Sequence, residues 1–230
     1  MRRLAGIAET VAVAMLWTAV AVGLAALALT IPVYTTMTSR WLGVPATAGL
    51  SPADTLRLSG NVRALVSDRG YDPLPSRYRG QAAFDASAVS HLMDVRAVLG
   101  GTKAATGAAA ALLAVWVGWC VGRKRWRALR RGMVAGGWLT LVAVLLAASA
   151  AIIDFEIFFA GFHGLFFKAG TWTFPEDSLL IRLFPERFWA TAGLVWGTLS
   201  ALIAAALLVG SRQVPDASKQ ESDRRGLQEV

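Results

Sequence analysis

The chain has 230 residues, of which 55% are hydrophobic and only 17% are charged, and its mean hydropathy is +0.50. So apolar a composition excludes an ordinary soluble globular domain. The net charge of +8 and the pI near 10.5 come from basic residues beside apolar runs, without the aromatic platforms of a nucleic-acid groove. We therefore expect lipid headgroups, and no nucleic acid, as their partners.

Four uninterrupted apolar runs predict membrane-spanning helices at residues 11–33, 104–122, 133–153 and 188–210. Each run holds about twenty residues, enough to cross a hydrocarbon core of ~30 Å at ~1.5 Å per residue. The runs lack the alternation of barrel strands, so helices are the expected form. The first run is longer than the apolar part of a signal peptide, so we expect it to be retained as the first span.

Basic residues set the expected orientation of these spans. The short loop at 123–132 is strongly basic, and the N-terminal segment 1–10 and the tail 211–230 also carry basic residues. We therefore expect these three segments in the cytoplasm, with the tail disordered. Residues 34–103 and 154–187 then face outward as an extracytoplasmic cap. The predicted fold class is an all-α membrane protein with four spans and this cap.

The first outer segment, 34–103, is too long for a bare connection and is expected to contain helices of its own. Ser51 as N-cap, followed by Pro52 and by Asp54 in the first turn, predicts the start of one helix. Apolar residues at helical spacing continue from there until Gly70, so one face of this helix is expected to be buried.

A loop and a second helix complete this outer segment. Two prolines enforce the loop at 71–80. The apolar spacing then predicts a helix from about Asp85 to Leu99. Gly100 and Gly101 are expected to end that helix just before the second span.

The second outer segment, 154–187, is unusually rich in aromatic side chains, and His163 lies in its middle. Part of this content is the interfacial belt expected beside any span, but its density exceeds what a belt needs. Pro185 is expected to start the helix that becomes the last span. The aromatic residues of this stretch are Phe155, Phe158, Phe159, Phe162, Phe166, Phe167, Trp172, Phe174, Phe184, Phe188 and Trp189.

The two histidines, His91 and His163, are the main candidates for chemistry. Both lie just outside apolar runs on the same expected outer face, where an imidazole can act as a base near neutral pH. Asp94 follows His91 by three residues on one predicted helix, so its carboxylate can meet and orient that ring. A single histidine is more often a satisfied interfacial residue, and the pair gives the functional interpretation equal weight.

Other chemistries have weaker support in the sequence. A zinc site would combine the histidines with Asp94, Asp154 or Glu156, but His-x-x-Asp is a weak metal motif and no H-E-x-x-H occurs. No G-x-S-x-G elbow marks a nucleophilic serine. The single cysteine, Cys120, is expected to pack as a small hydrophobe.

Two classes other than an enzyme remain as alternatives. Transporters place ionisable groups or broken helices near the bilayer midplane, whereas the four predicted spans carry no charged residue. Their small alanines and glycines more simply permit close helix packing. The other alternative is a non-enzymatic accessory membrane protein whose cap binds a partner.

Two motifs carry a resemblance to a known family. The first is the run HLMDVR at 91–96, which precedes the second predicted span. The second is the run FAGFHGLFF at 159–167, followed by Trp172, Pro175, Asp177 and FPE at 184–186. They resemble the two signatures of the lipoprotein intramolecular transacylase (Lit) family. The four-span layout with an outer cap is similar too, so the resemblance covers nearly everything except the tail.

The resemblance implies a multi-pass acyltransferase of the bacterial plasma membrane. Members of the family move the sn-2 acyl chain of a diacylglyceryl lipoprotein to the α-amine of the N-terminal cysteine of the same molecule, which gives the lyso form. The two family histidines fall on His91 and His163. This implies acid–base catalysis on the outer face with Asp94 in support, and which histidine is the base stays open.

The same resemblance guides the expected contacts of the substrate. We expect the pocket wall to include Tyr34, Phe162, Phe166 and Trp172. The expected partners are a lipid-modified lipoprotein and membrane lipids. No cofactor or metal is implied, and the oligomeric state is open.

Overall fold

The computed structural model describes residues 2–67 and 74–215. The predicted end of the first cap helix at Gly70, the first residues of the loop predicted at 71–80, and the tail from residue 216 lie outside this part of the chain. The described part is mainly helical, with one short hairpin. Its elements are α1 (Arg2–Ala28), α2 (Pro32–Trp41), α3 (Val44–Ala48), α4 (Pro52–Ser67), β1 (Arg77–Tyr78), β2 (Gln81–Ala82), α5 (Ala86–Gly122), α6 (Trp126–Ile153), α7 (Phe155–Phe166), α8 (Leu179–Leu183) and α9 (Glu186–Ser211).

Four of these helices, α1, α5, α6 and α9, are long and apolar enough to cross a membrane. The predicted fold class, an all-α membrane protein with four spans, is thereby confirmed. The first helix ends at Ala28, earlier than the apolar run at 11–33. Pro32, which has no N–H to donate, instead begins α2 after the extended residue Ile31.

The helix α5 differs from its prediction. Gly100 and Gly101 were expected to end a cap helix near Leu99, but α5 continues through both glycines to Gly122. That expectation was wrong because glycine in a helix interior costs only about 1 kcal/mol and does not forbid helical geometry. The alanine-rich run that follows favours the helix, and the hydroxyl of Thr102 donates to the Val98 carbonyl at 2.9 Å across this point.

The start of α4 agrees with its prediction. The Ser51 hydroxyl accepts a hydrogen bond from the backbone N–H of Asp54 at 3.0 Å, which is the expected N-cap. The predicted apolar face is buried, with Leu58, Val62 and Leu65 all in the core. The start of α4 could be predicted because helix capping depends only on residues that are neighbours in sequence.

The described chain forms two compact units, to which each long helix contributes a segment. The first, the glycine-packed unit, comprises the residues up to Leu24, Ala105–Leu145 and those from Thr198 onward. Close approach explains its glycines. A Cβ on Gly136 would lie 2.5 Å from the Trp17 Cβ, and one on Gly132 would lie 2.8 Å from the Trp116 ring. Small residues at these positions let neighbouring helices approach each other.

Polar groups in the glycine-packed unit largely bind one another. The Thr140 hydroxyl donates to the Gly136 carbonyl at 2.8 Å and lies 3.0 Å from the Thr18 hydroxyl. The Arg125 guanidinium donates to both carboxylate oxygens of Glu9 at 2.9 Å, which is the bidentate geometry of a strong ion pair. The Trp116 indole also donates to Glu9 at 3.1 Å.

The second unit, the histidine unit, comprises Ala25–Ala104 and Leu146–Gly197. Its core is formed by apolar side chains from α3, α4, α8 and the first turns of α5 and α9, with Leu58 and Leu183 fully buried. The Arg182 guanidinium donates to the Ala48 carbonyl at the end of α3, which fixes α8 against it. This packed core holds the starts of α5 and α9 in place around the site described next.

Candidate active site

His91 lies near the start of α5, in a turn that is held from two directions. The Asp85 carboxylate accepts the backbone N–H of Ala88 at 2.7 Å and so caps the helix. Ala88 and Leu92 are buried in the core of the histidine unit. With the backbone fixed on both sides, the His91 side chain is directed inward and is only 8% exposed.

His163 lies in the last turn of α7, a helix that the sequence did not predict. The Asp154 side chain caps this helix by accepting the N–H of Ile157 at 2.9 Å. Nδ1 of His163 lies 2.9 Å from the Phe159 carbonyl oxygen. Because a carbonyl only accepts, Nδ1 carries the hydrogen, and in the neutral ring Nε2 is then left as the proton acceptor.

The fold brings these two imidazoles together. The ring centroids of His91 and His163 lie 6.2 Å apart, with an angle of 29° between the ring planes. His163 is 9% exposed, so both rings are almost entirely removed from water. A pair of imidazoles in such a dry position can exchange protons with a reacting group while water is kept away.

Aromatic rings enclose the His91 side of the pair. Phe167 stands edge-on to His91 with ring centroids 4.8 Å apart, and Phe174 lies 5.6 Å from the same ring. Phe167 also lies 5.6 Å from His163. The side chain of Phe167 therefore contacts both imidazoles and helps to fix their separation.

Further aromatic rings enclose His163. Phe159 lies 4.0 Å from the His163 ring, and Trp172 lies 4.8 Å from it. Phe159 and Trp172 also contact each other edge-on at 6.4 Å. The imidazole is thus held among rigid side chains that lose little conformational freedom when a substrate binds.

The four residues expected to form the pocket wall have different positions. Trp172 contacts His163 directly, and Phe162 lies edge-on to His163 at 5.6 Å. Phe166 packs on Phe162 at 5.2 Å and is half exposed. Tyr34 contacts the ring of Phe188 at 5.8 Å, within the apolar core instead of beside an imidazole.

Two rings in direct contact with the histidines, Phe159 and Phe167, were missing from the predicted wall. The signal for Phe159 was present, since it lies four residues before His163 on α7, whereas Phe167 follows the helix as its C-cap in an extended conformation. Side chains at that spacing share one face of a helix.

Asp94 lies one turn after His91, as expected, but its side chain is exposed. Nδ1 of His91 is buried and has no hydrogen-bond partner among the described residues. The structure therefore does not contain the predicted carboxylate–imidazole hydrogen bond at that nitrogen. Support of His91 by the charge of Asp94 stays a prediction.

The surroundings of His163 also set its protonation. Burial among apolar rings lowers the pKa of His163 because it disfavours the charged ring, and the hydrogen bond to Phe159 opposes this shift only in part. His163 is therefore neutral near pH 7, the form that can accept a proton. Within the described part of the chain, no group of three or more His, Cys, Asp and Glu side chains is placed to hold a metal ion.

A cavity of about 210 Å³ lies elsewhere in the histidine unit. It is lined by the hairpin, the start of α5 and α8, with Ala88, Asp85, Asp177 and Arg182 among its walls. Its described lining residues include neither histidine. The chemistry suggested by the imidazole pair is therefore assigned to the aromatic enclosure and not to this cavity.

Comparison with known proteins adds an independent line of support. The family model for the lipoprotein intramolecular transacylase Lit matches residues 10–189. A search of curated protein sequences finds no match.

Solved structures are similar across nearly the whole chain. A membrane-integral lipoprotein intramolecular transacylase Lit from Bacillus cereus superposes with a TM-score of 0.79 at 17% identity, covering 94% of this chain and 98% of the other. A histidine-to-arginine variant of that protein gives a TM-score of 0.75 at 15% identity, covering 96% of each chain. A histidine-to-alanine variant gives 0.74 at 16% identity, covering 96% and 97%.

At such low identities the structural likeness shows the fold alone. The family model, by contrast, matches a range that spans both histidines and covers well over half of the chain. This chain therefore belongs to the lipoprotein intramolecular transacylase family of integral membrane acyltransferases.

Proposed function

We propose that this chain moves the sn-2 acyl chain of a diacylglyceryl lipoprotein onto the α-amine of that molecule's N-terminal cysteine, with His91 and His163 as the acid–base pair. The observation that carries the proposal is the imidazole pair, 6.2 Å apart and enclosed by aromatic rings. Family membership supports the reaction class. Two of the solved relatives carry replacements of a histidine, which agrees with a histidine at the centre of the site.

His163 is suited to act as the base. The attacking amine is an ammonium with an unperturbed pKa of about 8, so it must lose a proton before it can attack the ester. Because Nδ1 of His163 donates to the Phe159 carbonyl, Nε2 is the nitrogen that accepts this proton. The lowered pKa keeps the ring neutral and ready at neutral pH.

His91 is suited to complete the proton transfer. The amine nitrogen forms a bond to the ester carbonyl carbon, and the bond from that carbon to the glyceryl oxygen then breaks. The departing oxygen needs a proton, and His91 can relay to it the second proton, which the nitrogen loses in the tetrahedral intermediate. The first proton, taken from the ammonium by His163, is released to water when the product leaves, so both imidazoles return to their starting state and no cofactor is needed for the balance.

The aromatic enclosure can lower the main entropic cost of the reaction. Amine and ester are joined through a thioether, so the transfer passes through a roughly eight-membered ring, whose closure is entropically unfavourable. Rigid walls that hold the two ends together can supply several kcal/mol, because positioning replaces freedom that would otherwise be lost in the transition state. Burial of both histidines also keeps water from hydrolysing the ester.

We also propose an orientation of the chain in the membrane. Basic residues at 123–132 favour a cytoplasmic position for that loop, for the N-terminus and for the tail. The histidines and the segments at 34–103 and 154–187 then lie on the outer face of the plasma membrane. That is the face on which we place the lipoprotein substrate.

Mass spectrometry of lipoprotein N-termini tests the reaction. Cells that express the chain should carry an acyl group on the N-terminal amine and a free sn-2 hydroxyl, and cells without it should carry neither. His91→Ala and His163→Ala should each abolish this product while the protein remains in the membrane. Unchanged N-termini in cells expressing the wild-type chain, or full activity in both variants, would refute the proposal.

Labelling in intact cells tests the topology. In a Cys120→Ala background, a cysteine at the exposed position Glu176 should react with a membrane-impermeant maleimide. A cysteine at the exposed position Arg127 should react only after the membrane is permeabilised. The reverse pattern would place the histidines on the cytoplasmic side.

A further inference from the structure

Trp172 carries a hydrogen-bond donor that no described residue accepts. Its indole nitrogen Nε1 is buried and has no hydrogen-bond partner among the described residues. The same side chain lies 4.8 Å from the ring of His163 and 6.4 Å from that of Phe159, so the donor belongs to the wall of the imidazole pair.

A buried indole N–H without an acceptor lowers the stability of the fold. The indole nitrogen can only donate, and buried tryptophans normally find an acceptor. A phenylalanine in this place would bury a similar ring without that cost. An unsatisfied donor that is kept beside reactive groups is well placed to bind an acceptor that appears during the reaction.

The proposed transfer creates such an acceptor. When the amine attacks the ester, the carbonyl oxygen becomes an oxyanion in the tetrahedral intermediate. A donor that stabilises it must come within about 2.7–3.1 Å of that oxygen. The base, His163, lies one hydrogen bond from the attacking amine. The amine nitrogen meets the ester carbon at about 3–3.5 Å, so the oxygen on that carbon lies only a few ångströms from His163. A side chain packed against His163 is within this range.

We propose that the indole N–H of Trp172 donates to the oxyanion of the tetrahedral intermediate and is a catalytic group of this enzyme. The inference rests on the proposed acyl transfer and deepens it. The bond changes are those given above: the carbon–nitrogen bond forms, the carbon–oxygen bond to glycerol breaks, and the indole keeps its hydrogen throughout. Trp172 thereby stabilises negative charge without taking part in proton transfer.

This assignment divides the work among three side chains. With the oxyanion held by Trp172, neither imidazole is required for that role. His163 takes the proton of the amine through Nε2, and His91 supplies a proton to the departing glyceryl oxygen. The Nδ1 atom of His91 is buried and has no described partner, which is consistent with a ring that binds the substrate and not the surrounding fold.

The test is Trp172→Phe in the purified full-length protein, assayed with a dipalmitoylglyceryl-cysteine lipopeptide by mass spectrometry. We expect kcat to fall about 100-fold, the scale for one lost oxyanion donor. KM should stay within about threefold, because an interaction made only in the transition state does not affect substrate binding. The unfolding temperature should stay equal or rise, which a purely structural role for Trp172 would not produce.

Two tryptophans in the chain provide matched controls. Trp189 packs on Phe159 at 6.2 Å but is 41% exposed, so Trp189→Phe should keep kcat within about threefold, short of the loss expected for an oxyanion donor. The indole nitrogen of Trp17, in the glycine-packed unit, is also buried without a described partner, and Trp17→Phe should keep kcat as well. The comparison separates the loss of any unsatisfied indole from the loss of this one.

A second variant covers the case in which Trp172→Phe fails to fold. Incorporation of 3-benzothienylalanine at position 172 keeps the shape of the indole and replaces its N–H by sulfur. It should reproduce the loss of kcat. A wild-type rate with either replacement overturns the role of Trp172, whereas failure of the wild-type chain to acylate the lipopeptide overturns the proposed function itself.

Discussion

Both units bury polar atoms that have no described partner, but they differ in where these atoms lie. In the glycine-packed unit they are Trp17 Nε1 and Ser200 Oγ, whereas in the histidine unit two of them belong to the imidazole pair and its wall. Glu9 receives three hydrogen bonds, two from Arg125 and one from Trp116. By contrast, the buried nitrogens of His91 and Trp172 have no described partner, although both belong to the enclosed site. Such groups cost about 1–3 kcal/mol each, and in the histidine unit this cost falls at the enclosed site.

This difference indicates that one unit mainly stabilises the fold and that the other is available for chemistry. Close helix packing and paired charges increase the stability of a membrane protein without adding chemistry. Unsatisfied donors and acceptors beside two imidazoles lower stability but are available to a reacting substrate. Substitutions in the glycine-packed unit should therefore lower mainly the stability, and substitutions in the histidine unit should lower mainly the reaction rate.

The largest expected effect is on rate, in the histidine unit. His163→Phe keeps a ring among Phe159, Phe167 and Trp172 but removes the proton acceptor. Activity should fall about 10²–10⁴-fold, the usual contribution of a general base, with the unfolding temperature kept. Formation of lyso-form lipopeptide is measured by mass spectrometry. Ile157→Ala, at a 71% exposed position of the same helix, is the control and should keep the rate.

The next effect is on stability, in the glycine-packed unit. In Gly136→Val the new Cβ would lie only 2.5 Å from the Cβ of Trp17, which is too close for two carbon atoms, so the helices must move apart. The free energy of unfolding should fall by about 1–3 kcal/mol, while kcat per folded molecule stays unchanged. Gly118→Val, where a Cβ meets nothing within 4 Å, is the matched control in thermal unfolding. Equal losses from both changes would contradict the close-packing explanation.

A smaller effect is expected in the pH dependence of the histidine unit. Burial lowers the pKa of His163, so this ring should titrate below about 6.5, the value for an unfolded chain. The unfolded state then binds more protons as the pH falls past that value. The stability due to neutral His163 is full at higher pH and is lost as the pH falls toward the folded-state pKa. Histidine NMR signals in micelles measure the titration, and a midpoint above 6.5 would contradict burial as the dominant cause.

The smallest effect is expected at the ion pair of the glycine-packed unit. Arg125→Lys keeps the charge but loses the bidentate contact with Glu9. Because the two side chains are 33% and 26% exposed, the loss in unfolding free energy should be about 0.5–1 kcal/mol. Arg127→Lys at an exposed position is the control in thermal unfolding. A loss of activity without a loss of stability would show that this pair does more than stabilise the fold.

Local features of the site were more predictable than its assembly. The capping of α4 by Ser51 and the placement of both histidines outside the apolar runs follow from neighbours in sequence. The continuous course of α5 through Gly100 and the helical form of 155–166 were not predicted, because packing and capping outweigh weak local preferences. With α7 unrecognised, Phe159 could not be placed on the same face as His163, and Phe167 is an extended residue after that helix.

The sequence by itself determined the four apolar runs, the basic segments at 1–10, 123–132 and 211–230, and the family motifs, since hydrophobicity and charge order act through composition and spacing. Only the tertiary structure decided that His91 and His163 face each other within one aromatic enclosure. The same holds for the hydrogen bond from His163 to the Phe159 carbonyl, which leaves Nε2 as the proton acceptor, and for the Trp172 donor, which has no described partner. These features depend on where distant segments meet and on which acceptors a fold leaves within reach. The packing of the whole chain sets both.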